Sequence, residues 1–350
     1  MPGAAMRKGA AVTAVVMLAL GALVYLQFRS WQDFDWQVFL SQTRRANPWR
    51  VAGAVGIVYL VVLLRALRWK IFLRPVRRTS ALALAPAMFI GFTGVALLGR
   101  PGELIRPYLV ARREQLPFSS QMAVWLVERI FDTAAFTVLI TLNIFFAPSL
   151  RELPHSGKFP AIGAVLLGIS LGLIAVAFLI WRNSTGVAGW TERVLSRFSP
   201  RTSKSVAQKV RAFGEGMHTI HDAASFVQLV VVSLAIWLLI AVAFREVTHA
   251  YPEPLRHMTV PHVLLLMGFS IAGSTVQLPA VGGGSQLAAV AALHYIFSVP
   301  SELAVSCGIL LWLVTFVSVT PAGLFLAHRE HVSLRKLSLE SEERADDMVI

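Results

Sequence analysis

FIGFTGVALLGRPGELIRPYLVARR, residues Phe89 to Arg113, decides how this chain is read. An apolar, glycine-bearing run is broken by Arg100, Pro101, Gly102, Glu103 and Arg106 and then resumes, without giving one clean membrane-spanning segment. A charged side chain at the centre of a membrane helix costs about 2.5–3.5 kcal/mol on insertion scales, so charges this dense need partners, water or a ligand. Pro101 and Gly102 break helices, and backbone freed at membrane depth is tolerated only inside protein or beside a wet cavity. The stretch reads as a polar, broken element aimed into a site.

The composition agrees. Of 350 residues, 56% are hydrophobic and 15% charged, which fits an all-α polytopic membrane bundle and excludes an ordinary soluble core. A net charge of +13 would suggest nucleic acid in a soluble protein. Here the cations sit in short loops between apolar segments, where they set orientation and meet an anionic lipid surface, so nucleic-acid binding is not expected. The single cysteine, Cys307, excludes an intramolecular disulfide and a cysteine metal cluster.

Outward from the opening stretch, the chain divides into 1–50, 51–181, 182–222, 223–327 and 328–350. Gly9 to Phe28 is long enough to span and follows Arg7 and Lys8, so it reads as a retained signal anchor. Trp31, Asp33, Phe34, Asp35 and Trp36 then form a polar outer loop with aromatic anchors. A second span, Trp49 to Leu64, ends in Arg65, Arg68, Trp69 and Lys70, with Arg74, Arg77 and Arg78 beyond. This dense basic loop marks the cytoplasmic side, and Arg65 and Arg68, neighbours on one helix face, are also secondary phosphate-contact candidates.

Two spans, Gln121 to Ala147 and Phe159 to Trp181, separate the basic residues at Arg112 and Arg113 from those after Arg193. Ala81 to Arg113 therefore enters and leaves on the cytoplasmic face as a re-entrant hairpin, or makes two short crossings with a polar turn outside. Glu128, Arg129 and Asp132 lie deep in the Gln121 span. Glu128 and Asp132 share a face, and Arg129 can pair with Asp132. Arg100 and Arg106 are the expected partners for these carboxylates, either as a mere fastening or as part of a site.

Segment 182–222 is a basic amphipathic stretch suited to the membrane surface. Its His218 and His221 are a weak metal signal, and no metal or cofactor is expected. After a span from Ala224 to Ala243 and an outer loop Arg245 to His257, the region Val260 to Phe297 is broken a second time, at Gln277, Pro279, Gly282, Gly283 and Gly284. It mirrors the first element loosely, with Gly91 and Gly94 against Gly268 and Gly273. Elements inserted from opposite faces are the expectation for inverted repeats. The glycines let backbone N–H groups face a ligand, and a helix starting at Ser285 would point its positive end at an anion, with Gln286 beside it. Close packing through small residues explains them equally. A span from Glu302 to Ala327 leads to a charged tail from His328 that reads as disordered. Both termini are expected in the cytoplasm.

The order R-A-L-R-W (Arg65 to Trp69), G-R-P-G-E-L-I-R (Gly99 to Arg106), E-R-I-F-D (Glu128 to Asp132) and L-P-A-V-G-G-G-S-Q resembles the lysylphosphatidylglycerol synthase transmembrane-region family, or flippase-like domain proteins, from about Val51 to Ala327. The resemblance implies an integral protein of a bacterial cytoplasmic membrane that moves or modifies lipids, including aminoacylated phosphatidylglycerol and polyprenyl- or hopanoid-linked species. The soluble aminoacyltransferase domain of some members is not among these residues. Many members carry a glutamate after the second glycine-rich turn, where this chain has Ser285 and Gln286.

The expected function is translocation of an anionic, aminoacylated or polyprenyl-linked lipid. Arg100 and Arg106 would contact phosphate, Glu103, Glu128 and Asp132 would hold those arginines or an amine, and the Gly282 to Gly284 turn would close the opposite side. One alternative is a glycosyl- or group-transferase acting on polyprenyl phosphate, using the carboxylates and the Asp33/Asp35 pair. Another is a non-catalytic membrane partner of a lipid-modifying enzyme.

Overall fold

The computed structural model describes residues 34–154, 156–196, 203, 207, 223–274, 277–278 and 282–347. The expected first span, Trp31, Asp33, His218, His221 and Pro279 lie outside them.

Helix α1 (Trp36–Arg45) starts at Asp35, whose carboxylate accepts the Gln37 and Val38 N–H groups at 2.8 and 3.0 Å. Asp35 is thus used as an N-cap. Asn47 caps α2 (Pro48–Leu73) in the same way. This helix is longer than hydropathy indicates: it passes Leu64 and carries Arg65, Arg68 and Trp69 in its interior. Ser80 caps α3 (Ala81–Leu98), which ends at Gly99 with φ 72. A 3-10 turn (Arg100–Leu104) then leads into α4 (Ile105–Glu114).

The chain continues through α5 (Phe118–Phe146), α6 (Phe159–Arg182), α7 (Ser184–Leu195) and α8 (Ala223–Thr248). Helix α9 (Val260–Gly273) and helix α10 (Gly284–Tyr295) flank a two-residue antiparallel pairing of Gln277–Leu278 with Gly282–Gly283. Helix α11 (Ser301–Trp312), a π-helical turn (Leu313–Val317) and α12 (Thr320–Arg329) form one interrupted rod. The tail is not an unstructured extension: 334–347 is helix α13 (Leu334–Asp347), tied back to α4 by the Tyr108 hydroxyl donating to Glu340 at 2.7 Å.

Among the described residues, five helices are long and apolar enough to cross a membrane: Pro48–Leu73, Ala81–Leu98, Phe118–Phe146, Ala224–Thr248 and Ser301–Arg329. Their outer faces carry exposed Leu60, Leu63, Val138, Leu142, Val231 and Leu238, a surface suited to hydrocarbon and not to water. The fold is an all-α membrane bundle.

Cross-contacts fix which ends lie together. At one end, called here the near end, Thr79 donates to Glu114 at 2.9 Å, Arg74 to Gln228 at 3.2 Å and Arg113 to Glu330 at 3.0 Å. At the far end, Arg50 pairs with Glu246 at 2.9 Å, Asn143 donates to the Pro261 carbonyl at 2.9 Å, and Thr43 and Tyr251 both bond Ser306. Helix α5 joins the two ends.

The element 81–114 consequently begins and ends at the near end, joined at its base by Thr79 and Glu114. Its two arms fold back on one another as a helical hairpin. Glycine permits the close approach of its arms: a Cβ on Gly91 would lie 2.7 Å from the Arg106 Cβ, and one on Gly102 would strike the Gly94 carbonyl. The second hairpin, α9–α10, has its base at the far end beside Ser149 and Pro261, and a Cβ on Gly273 would collide with the Gly284 carbonyl. The two hairpins enter from opposite ends, each closed by glycines near its tip.

Candidate functional site

The ionic centre is built by α2, α4 and α5. Glu128 and Asp132 are four residues apart, so both carboxylates leave α5 on one face. Arg65 and Arg68 leave α2 toward them. Arg68 is fully buried and reaches Glu128 and Asp132 at 2.6 Å each, with a further bond to the Ser233 hydroxyl of α8 at 3.0 Å. The Trp69 indole donates to Glu128 at 2.6 Å, and Arg106 of the first hairpin reaches the same oxygen, Oε2, at 2.8 Å. Arg65 and Arg129 stand off at 3.3 Å from Asp132 and 3.6 Å from Glu128. Aromatic faces support the cations: Arg65 and Arg106 lie over Phe92 at 5.1 and 5.4 Å, and Arg129 lies over Trp125 at 5.9 Å.

Arg65 and Arg68 therefore do not close a cytoplasmic loop, as the hydropathy limit at Leu64 suggests. Arg68 is the principal counter-ion of the α5 carboxylates, with Arg106, and Arg65 stands beside them at longer range. For Arg100 the structure describes backbone only, so its expected pairing lies outside the described side chains. The sequence marks Arg65 and Arg68 as neighbours on one helix face and Glu128 and Asp132 as neighbours on another, but their spacing does not say that the two faces meet.

Beside this centre lies a cavity of about 810 Å³. Arg65, Arg106 and Arg129 form its charged wall, joined by Glu103 and Pro101 from the first hairpin's tip. The second hairpin contributes Ser270, Ser274 and Ser285 from the other side. The remaining wall is apolar and aromatic, including Phe92, Trp237, Phe244 and Phe316, none of which the sequence motifs single out. Described residues near the breaks of both elements thus line one cavity. By helix rise, Arg129 sits roughly 16 Å from the near end of α5, at mid-membrane depth.

Gly283 has φ 108, a conformation reserved for glycine, and its N–H is taken by the Gln286 side chain at 3.4 Å. The helix begins at Gly284, one residue before the expected Ser285. For Gln277 and Gly282 only backbone is described. Gly102 is buried against Gly94 and serves hairpin closure. Among the described residues, no group of three or more His, Cys, Asp or Glu is placed to hold a metal ion.

Two curated relatives are similar to this chain. A protein named glycosyltransferase AglD from Haloferax volcanii is 33% identical over 135 residues, which is 38% of this chain and 21% of that protein. A UPF0104 membrane protein from Methanothermobacter thermautotrophicus is 21% identical over 300 residues, covering 80% of this chain and 85% of the relative. The chain thus spans about a fifth of the glycosyltransferase's length. No solved structure matches. A family model described as lysylphosphatidylglycerol synthase TM region matches residues 11–323, and the chain belongs to that family.

Proposed function

We propose that the protein carries a phosphate-bearing lipid head group through the cavity between its two hairpin tips while the acyl or prenyl chains stay in the bilayer, as a lipid translocase. The observation that carries this reading is that hairpins based at opposite ends both line one cavity, which has a guanidinium wall, hydroxyls on the opposite side and apolar and aromatic residues between. Broken helices that meet at the midplane are how secondary transporters expose a polar site alternately to each side. The cavity lies within the range of about 300–1,000 Å³ typical of small-molecule sites.

Orientation follows from loop charge: the near end bears Arg74, Arg77, Arg78, Arg112 and Arg113, and the positive-inside rule places it in the cytoplasm. Group transfer is less well supported, because Glu128 and Asp132 are gripped by guanidiniums and so are poor general bases.

The test is lipid movement in proteoliposomes, comparing the native chain with Arg65→Gln and Arg129→Gln across several phosphate-headed lipids. Movement by the native protein that both substitutions reduce is the expected result. Well-folded protein that moves no lipid, yet turns over polyprenyl-linked sugar with divalent metal, would overturn the reading in favour of an enzyme.

A further inference from the structure

The charge distribution around the cavity is uneven, and the geometry shows where the excess lies. Both Glu128 oxygens are engaged: Oε1 by Arg68 at 2.6 Å, and Oε2 by Trp69 at 2.6 Å and Arg106 at 2.8 Å. Asp132 gives Oδ1 to Arg68 at 2.6 Å and shares Oδ2 among Arg68, Arg65 and Arg129 at 3.1–3.3 Å. Neither carboxylate keeps an oxygen for an incoming ammonium group. Arg65 and Arg129 are left with the longest and most shared contacts, and the Arg129 side chain is 40% exposed, against 10% for Arg65 and 0% for Arg68.

Among the described side chains, four arginines surround two carboxylates, which leaves two positive charges in excess. Glu103 on the cavity wall, with no ion-pair partner among the described residues, offsets one of them. The other is matched by the single negative charge of a phosphodiester, whereas an added ammonium worsens the imbalance in a water-poor site.

We infer that the cavity selects lipid head groups that bear phosphate and no amine, with Arg65 and Arg129 as the selecting residues. Head groups carrying lysine or ethanolamine are disfavoured, although the family's description names a lysylated lipid. This inference rests on the cavity being the lipid site proposed above and goes further by fixing the head-group charge. Ser270, Ser274 and Ser285 supply hydroxyls for a glycerol or sugar substituent, while Glu103 is the one carboxylate among the described lining residues and the aromatic faces of Phe92 and Trp125 already carry arginines.

The experiment measures binding to the purified full chain in detergent, by displacement of a fluorescent phosphatidate, using phosphatidylglycerol, phosphatidate, phosphatidylethanolamine and lysylphosphatidylglycerol. The anionic pair should bind about tenfold more tightly than the two amine-bearing lipids. Arg129→Gln, whose side chain is the most exposed of the four arginines, should remove most of that preference while thermal unfolding stays close to native. Arg65→Gln gives a second reading of the same preference. Equal or tighter binding of lysylphosphatidylglycerol, or an unchanged preference in folded Arg129→Gln, overturns the inference. A preference in binding without movement in vesicles supports the charge selection and counts against translocation alone.

Discussion

Replacing Glu128 with glutamine isolates the fastening role of the ionic centre. The carboxylate is fully buried and accepts from Arg68 and Trp69 at 2.6 Å and from Arg106 at 2.8 Å, so one α5 side chain holds α2 and the first hairpin together. Glutamine keeps the shape but removes the charge, and it turns one acceptor into an N–H₂ group that faces a donor. Either Arg68 on one oxygen or Trp69 and Arg106 on the other then meet a like hydrogen-bonding group. Breaking a buried ion pair by removing one partner costs about 3–5 kcal/mol, because the remaining charge is stranded. That range is the predicted loss for Glu128→Gln in equilibrium unfolding in mixed micelles. Asp132→Asn should lose less, since two of its partners sit at 3.3 Å and Arg129 is partly solvated. Adding Arg106→Gln to Glu128→Gln removes one stranded guanidinium, so the double variant should be more stable than the sum of the single losses by roughly 0.5–3 kcal/mol. A Glu128→Gln loss below about 1 kcal/mol, or strict additivity with Arg106→Gln, would falsify the argument that these contacts hold the hairpin.

Three further substitutions probe the hairpins and the tail. Gly102→Ala places a methyl group against the Gly94 carbonyl, where only backbone could yield, and should lower stability by at least about 1–3 kcal/mol, read as a drop in thermal unfolding temperature in detergent. Gly283→Ala puts a side chain at φ 108 and should cost about 1–3 kcal/mol, whereas the same change at Gly56, which has open space around it and sits in a helix, should be neutral or better in the same assay. Tyr108→Phe deletes the hydroxyl bond to Glu340; cleavage of the 334–347 helix by added protease should quicken by a factor matching about 1 kcal/mol, and an unchanged rate would show that this bond does not dock the tail.

Much of the architecture is legible in the sequence because the membrane imposes few choices. Pro101, Gly102 and the charges around them force a break, and the break needs protein on all sides. Glu128 and Asp132 are equally legible as carboxylates that must be paired. What hydropathy misplaces is the end of α2: Arg65 looks like the start of a loop, and a charge in a spanning helix is expected only where something pays for it. That something is 60 residues away in sequence and contiguous in space, a relation that periodicity does not encode. The aromatic wall is missed for a related reason, since Phe92, Trp237 and Phe316 look like any apolar residue until their neighbours are known. The tail looks disordered by composition, with its helix dependent on tertiary contacts such as that of Tyr108 with Glu340.

The charge imbalance also decides between a fastening and a site. A network whose only task is to clamp a hairpin to its neighbours works best when it is neutral, because each unmatched guanidinium in a low-dielectric interior adds a desolvation penalty of several kcal/mol without a partner to offset it. Arg68, Arg106, Glu128 and Asp132 form such a neutral clamp by themselves, with every short contact in the centre among them or with Trp69 and Ser233. Arg65 and Arg129 add no short contact and raise the local charge. Their aromatic supports, Phe92 and Trp125, recover part of the penalty by stacking, at about 0.5–2 kcal/mol each. On the proposed function, an anion standing in the cavity between them would relieve the rest for the more buried Arg65, with the other four groups holding the fold.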